Sequence, residues 1–422
     1  MARIAGWDQN PKLYFPHIAS TATWKTEICV INTSSSETVN GTFKAYSNVG
    51  VHVSEDRAVS LAPHGRREIT VGNEFSNPAD IGYIVFESDL DAMAGYTKFY
   101  TGGQYRVAVP AVSEINNGDI YISHIASSNA WWTGVSLLNT TSSPKTLTIE
   151  FNNGTTKTKE LTAYEHSAFT IRSLFAGQAQ PGIGSAVIKG GSGVVGLELF
   201  QSIGKDKQLS GILLKDETSS TIYYPHIASN ASWWTGIVAY NPSVSDTTIT
   251  ITPYSEEGTS LTPQSLTISG KGKYIGTVVG LDLPVDTAWL QIEATSPVTG
   301  FELFASQNGN RMAGYTGVGI SAKEGAFAKL EKDGWTGIAF VNTESGPAAV
   351  TLTAYDDSGS VIATKGIDLD AHEKVVSVAE TIFTGDDISD ATYITYASDR
   401  EVVGFQLNAS SDGMMLDALP GM

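Results

Sequence analysis

Residues 17–32 read HIASTATWKTEICVIN, and the same sixteen-residue phrase returns without a gap at 124–139 (HIASSNAWWTGVSLLN) and 226–241 (HIASNASWWTGIVAYN). A fourth copy, FAKLEKDGWTGIAFVN at 327–342, keeps only the second half and starts without a histidine. Recurrence at a spacing of about one hundred residues marks a tandem array, each unit long enough to bury a core of its own. Aligning the copies sets four repeats at 12–112, 119–214, 221–320 and 323–422, joined by short polar linkers such as SEINNGD (113–119). Linkers this short predict neighbours in fixed contact.

Within each copy the apolar residues recur every second position. Leu147, Ile149 and Phe151 alternate with Thr146, Thr148 and Glu150, and Val350, Leu352 and Ala354 alternate with Thr351, Thr353 and Tyr355. That period, with Thr on the polar side, is the signature of a half-buried strand. Tight turns follow at equivalent places, ending on Gly50, Gly154, Gly258 and Gly359, where a hairpin needs positive φ. Later in each copy an apolar strand carries a glycine: Gly95, Gly196, Gly300 and Gly404. No stretch longer than a turn or two has helical periodicity. The expected fold class is all-β, as four tandem antiparallel β-sandwich modules.

Composition narrows the function classes. The chain is 41% hydrophobic and 17% charged, with a net charge of −18. That excess of acid argues against nucleic acid and against anionic lipid, both of which recruit clustered Lys and Arg. Residues 323–422 hold 17 acidic against 6 basic side chains. Solubility explains them; calcium held by Asp356-Asp357 or Asp386-Asp387 is the alternative, without the alternating loop of a calcium hand. The lone Cys29 rules out an internal disulfide framework and reads as a small strand residue. No apolar run is long enough to span a membrane, so no insertion is expected, and residues 1–15 carry no signal core. No cofactor motif stands out, and the expectation is a protein that is not an enzyme.

Several residues invite a functional reading. His17, His124 and His226 recur, but about one hundred residues apart and with no second ligand nearby, so they read as structural groups bonding a neighbouring loop. His64, His166 and His372 read as occupants of one recurring turn. Adjacent residues of a strand face opposite ways, so the tryptophans fall into two columns: Trp24, Trp131, Trp233 and Gly334 inward, and Lys25, Trp132, Trp234 and Trp335 outward, since Lys is rarely fully buried. Outward rings serve packing between modules or oligomers, core packing, or stacking on sugars. The Gly-rich GGSGVVG at 190–196 matches neither a nucleophile elbow nor a phosphate loop and reads as a hairpin. Glu198 and Glu302 recur in G-x-E-L-F, but one carboxylate per module does not meet the two-carboxylate requirement of glycoside hydrolysis.

The phrases YFPHIAS, YYPHIASNASWWTGIVAYNPS and WTGIAFVNTESGPAAVTLTAYDDSG resemble a repeat of exported bacterial proteins of unassigned function. That repeat pairs an F-P-H-[IV]-A opening with W-x-T-x-[IL]-x-[VL]-x-N and a T-L-T-A-Y-D-x-x-G hairpin. Repeat four lacks the P-H-I-A opening, and repeat one has Lys25 and Glu27 where Trp and Gly stand elsewhere. The resemblance implies export or surface display and no reaction. The expected role is a non-enzymatic extracellular scaffold, structural or adhesive, self-associating through edge strands and exposed Trp. Binding of surface glycans on the outward Trp column is the alternative, and a glycan-active enzyme a remote one.

Overall fold

The computed structural model describes residues 10–204, 207–317, 319 and 321–422. The signal reading of residues 1–9 and the boundary at Ile320 fall outside them. The described chain is all-β, with two single-turn α-helices, Val71–Glu74 and Ala379–Ile382, and three short 3₁₀ turns among its strands.

The first repeat shows the plan. Its strands are β1 (Lys12–Phe15), β2 (Lys25–Asn32), β3 (Val39–Tyr46), β4 (Arg57–Leu61), β5 (Arg66–Thr70), β6 (Tyr83–Ser88), β7 (Met93–Tyr100) and β8 (Arg106–Pro110). They form two antiparallel sheets, ordered β1-β6-β3-β4 and β5-β2-β7-β8. Phe15, Phe43 and Phe86 of one sheet meet Ile28, Val30 and Ile69 of the other in a single core. The period-two pattern supplies these residues, because alternate side chains share a face.

The second repeat repeats both sheets in the same order. In the third and fourth, Trp289–Ser306 and Tyr393–Ser410 run on as 18-residue strands, so the two sheets join into one of seven strands. The first two repeats break that run with turns, the second at Gly190 (φ 79°) and Gly193 (φ 76°). Each repeat keeps a core drawn from its own residues.

Small motifs have direct structural causes. The Asn that closes the repeated phrase is fully buried as Asn32, Asn139, Asn241 and Asn342. Its amide donates to the carbonyls of two turns, for instance Asn32 Nδ2 to Glu37 O (2.7 Å) and Leu61 O (3.0 Å). Its oxygen accepts from the backbone two residues on, such as Ser34 N at 2.9 Å. One side chain thus satisfies groups that would otherwise be buried unpaired. The W-T-G triplet has a steric reason. A Cβ on Gly134, Gly236 or Gly337 would lie 2.7, 3.0 or 3.2 Å from the Cζ3 of Trp132, Trp234 or Trp335, so each ring needs the glycine two residues on. Repeat one has no ring there, only Lys25, and accordingly accepts Glu27.

The repeats close on themselves. β8 lies beside Leu209–Leu214, that strand beside Met312–Thr316, that beside Leu416–Pro420, and the last beside β8 again. Ala108, Gly211, Gly314 and Ala418 occupy one register position in these four strands. Such small residues let the strands crowd around one axis.

Candidate functional site

Most of the histidines and tryptophans singled out above lie at the seams between repeats. The register position that opens the β5-type strand is Arg66, His166, Lys273 or Lys374. Each of these reaches back into the preceding repeat, toward the residue that opens the repeated phrase. His166 Nε2 is 3.2 Å from His17 Nδ1 and 2.8 Å from Ser136 Oγ, while its Nδ1 meets Asn48 Oδ1 at 2.7 Å. Lys273 Nζ lies 2.6 Å from His124 Nδ1, and Lys374 Nζ 2.8 Å from His226 Nδ1 and 2.8 Å from Ala288 O. The histidines sit just past the first strand and bond the next repeat, not a neighbouring loop of their own.

Burial holds these groups away from their charged forms. It pushes His17 down to about 4, and His124 and His166 to about 3. Lys273 and Lys374 fall to about 8, with burial outweighing the attraction of Glu198 and Glu302 respectively. Those two carboxylates are fully buried, and neither has a hydrogen-bond partner among the described residues. Desolvation raises both well above the ordinary carboxyl range. Lys273 and Lys374 respectively pull the other way without overcoming burial.

The fourth seam, between the last repeat and the first, is built differently. Lys329 occupies the position of His17, because Phe327 pairs with Ile394 as Phe15 pairs with Ile84. The ungapped alignment hid this: the loop that follows is two residues shorter in the last repeat. Thr336 Oγ1 accordingly takes a hydrogen bond from Glu331 N, five residues back, where Thr26, Thr133 and Thr235 take theirs from seven back.

Lys329 Nζ contacts Glu27 at 3.2 Å and Glu68 at 2.8 Å. Arg66 joins Asp357 at 2.9 Å, and also Glu68. Lys98 bonds Glu27 at 2.7 Å, and Arg106 bridges Asp417 and Glu331. Burial works against the charge on Lys329, but Glu27, Glu68 and Glu331 outweigh it and hold the ammonium above its usual value. The oddities of the first and last repeats, Lys25 apart, therefore meet in one ion network. Cys29 sits fully buried in the apolar part of this seam, its thiol pushed up to about 12 chiefly by burial.

The tryptophan columns do not divide into inside and outside, and all of these rings are half-buried. Trp131 and Trp234 flank the Phe200–Phe301 cluster between repeats two and three. Trp233 and Trp335 flank the Phe304–Phe405 cluster between three and four. Each of these seams takes a first-column ring from one repeat and a second-column ring from the next. Trp24 packs with Phe99, Val107 and Leu197 between repeats one and two. At the closing seam the two columns would supply Gly334 and Lys25, and the ion network stands there instead. The alternation argument assumed a sheet with one wet face, whereas the Trp-bearing sheets pack against other repeats.

The recurring turn also needs correction. Its positive-φ residue is His64, Tyr164, Lys271 or His372, so His166 lies two residues beyond it. This turn receives an aromatic donor from the preceding repeat: Tyr83 OH to Tyr164 O (3.1 Å), Trp289 Nε1 to His372 O (3.0 Å) and Tyr393 OH to His64 O (2.6 Å). Each donor stacks on Tyr46, Tyr254 or Tyr355. Repeat two has Asn152 and Ser185 at those positions, and a Cβ on Gly154 would meet nothing within 4 Å. The rim of the seam between repeats two and three lacks this latch.

Of the acidic pairs, Asp356 accepts from Ser358 N and Ser360 N within its own turn, and Asp357 is engaged by Arg66. Asp386 and Asp387 are exposed. Among the described residues no three His, Cys, Asp or Glu side chains come together as a metal site would need. No described helix is long and apolar enough to cross a membrane. Two cavities open on the first repeat. One of about 680 Å³ lies between β4 and β5, and one of about 390 Å³ borders Trp24 and Lys25.

No protein-family profile matches the chain, and no curated protein matches it either. Among solved structures, the crystal structure of Thermotoga maritima 1070 is similar over 24% of this chain and 95% of its own length, at 14% identity and a TM-score of 0.21. A structure described as the triple jelly roll fold and turret assembly in an archaeal virus aligns over 96% of this chain and 99% of its own, at 13% identity and a TM-score of 0.15.

Proposed function

We propose that the chain is a non-enzymatic scaffold of four tandem β-sandwich modules, 12–112, 119–214, 221–320 and 323–422, closed head to tail into one block. The observation that carries this reading is the buried ion network joining Lys329, Glu331 and Asp417 of the last repeat to Glu27, Glu68 and Arg106 of the first. Side chains that could have served chemistry are spent on holding the repeats in place. Four similar outer faces fixed around one axis suit a structural or adhesive part, where weak contacts add through multivalency. The resemblance to exported repeats supports a role outside the cell, acting on surface glycans or on further copies of itself. The outer edge strands, β4 and its counterparts, offer the route to self-association. Trp234 and Trp335 pack into the Phe200–Phe301 and Phe304–Phe405 clusters, which speaks against stacking polysaccharide on that column, and Glu198 and Glu302, fully buried and one to a repeat, speak against a glycan-active enzyme.

Imaging of the purified protein tests the architecture: single chains should average to a compact four-lobed particle, and extended strings of beads overturn it. Protease shaving of intact cells tests the location. Protein that stays cell-associated and uncut sinks the surface reading.

A further inference from the structure

The 390 Å³ groove on the first repeat is lined by Ser20, Thr21, Trp24, Lys25, Thr70 and Asn73, among others. Its size lies at the lower end of small-ligand sites, with room for a single sugar ring. Trp24 borders the seam between repeats one and two on one side and this groove on the other, and three features of the groove point to a ligand. Ser20 is 7% exposed, and its hydroxyl, buried in the wall, has no hydrogen-bond partner among the described residues. Buried hydroxyls are ordinarily paired, so an unpaired one in a cavity wall is a group waiting for a ligand. Trp24 is half-buried and braced by Tyr105, the rings 6.1 Å apart and 23° from parallel. A rigid aromatic wall is what the C–H face of a pyranose packs on. Lys25 is exposed and makes no ion pair among the described residues, in a chain where Lys98, Arg66, Arg106 and Lys329 are all neutralised.

We propose that this groove binds one pyranose unit bearing a carboxylate, a uronic acid residue of an acidic polysaccharide. The ring packs on Trp24, and a ring hydroxyl meets Ser20 Oγ. Asn73 and Thr21 offer further partners, Thr21 Oγ1 already accepting from Trp24 N at 3.1 Å and keeping its own proton to donate. The Lys25 ammonium takes the carboxylate. Charge-assisted bonds of this kind are stronger than neutral ones, which selects the acidic sugar over its neutral counterpart. Repeat one alone carries the site, because the other repeats place a second Trp where Lys25 stands. The inference is independent of the scaffold reading, which survives its failure.

Calorimetric titration of the full chain with a galacturonic acid trisaccharide, a neutral galactose trisaccharide and acetate tests it. The acidic trisaccharide should bind about ten-fold tighter than the neutral one, and acetate should not bind measurably. Lys25→Gln should bring the two sugars level. Ser20→Ala should weaken both about five-fold while leaving the melting temperature unchanged or higher, since it removes an unpaired buried hydroxyl. Equal binding of the two sugars by the native chain overturns the proposal. So does acetate binding as tightly as the sugar, or unaltered affinity in both variants.

Discussion

Lys329 of the last repeat places its ammonium 2.8 Å from the Glu68 carboxylate of the first, across a separation of 261 residues. Glu27, at 3.2 Å from the same nitrogen, is buried. Removing the cation leaves two carboxylates short of a partner in a poorly solvated seam. Lys329→Met should therefore cost about 3 kcal/mol, as breaking a buried ion pair from one side does. Urea unfolding checks it: the first transition should move to lower urea, and a midpoint unchanged within error removes the network from the account of closure.

The histidine seams predict acid sensitivity. His17, His124 and His166 sit at about 4, 3 and 3 in the folded chain, below the ordinary value near 6.5. Between those limits the unfolded chain binds more protons than the folded one, so stability falls as pH drops from about 6.5 and the loss is complete near pH 3. Glu68, held below its usual range because Arg66 and Lys329 outweigh burial, acts in the same direction. At about 1.4 kcal/mol per pKa unit, the loss across that range is at most about 3 to 5 kcal/mol for each buried ring. His166→Gln should flatten the slope of melting temperature against pH between 6.5 and 4. An unchanged slope would mean that the seam rings stay solvated.

Glu198 works the other way. Its folded pKa is raised, so whatever it contributes is present at low pH and is lost as pH climbs past the ordinary carboxyl value. With neither oxygen bonded, the side chain is a cost at neutral pH. Glu198→Met should raise the melting temperature at pH 7 by a few degrees, equivalent to about 1–2 kcal/mol. A fall of several degrees would show instead that the carboxylate is the ionised mate of Lys273.

The W-T-G triplet predicts a coupled pair. A Cβ at Gly134 would lie 2.7 Å from Trp132 Cζ3, so Gly134→Ala should cost about 1–3 kcal/mol by displacing the ring. Adding Trp132→Ala should recover part of that loss, because the clash goes with the ring. Strictly additive costs in a double-mutant cycle would break the steric explanation.

The seam between repeats two and three should open first. Arg66 N, His166 N and Lys374 N each donate to a carbonyl of the preceding repeat, at 2.9, 2.8 and 2.8 Å. No corresponding bond ties Lys273 N to the second repeat among the described residues. Hydrogen exchange should find the Lys273 amide exchanging ahead of the other three; equal protection would contradict the missing latch.

The strands were legible because alternation is local: Leu147, Ile149 and Phe151 announce a buried face within five residues. The hairpin glycines were legible for the same reason, and Gly50, Gly154, Gly258 and Gly359 all have positive φ. The seams were not, because their partners lie far apart in sequence, as with His17 and His166, and no local pattern links them. The shorter loop after Lys329 concealed its kinship with His17, and the turn at Tyr164 was misplaced by two residues. The tryptophan columns misled because a strand's parity says which residues share a face but not what lies opposite. The groove beside Trp24 left one trace in the chain, the lysine standing where other repeats carry a second ring.

A contact that mates a ring from one unit with a ring from the next can be extended without limit, adding copy after copy. The charged junction between first and last cannot, since each half accepts only its opposite number. Lys25 and Gly334 mark the junction where the two columns bring no indole, and ion pairs take the place of the rings there. A closed circle of such units therefore needs two members unlike their neighbours.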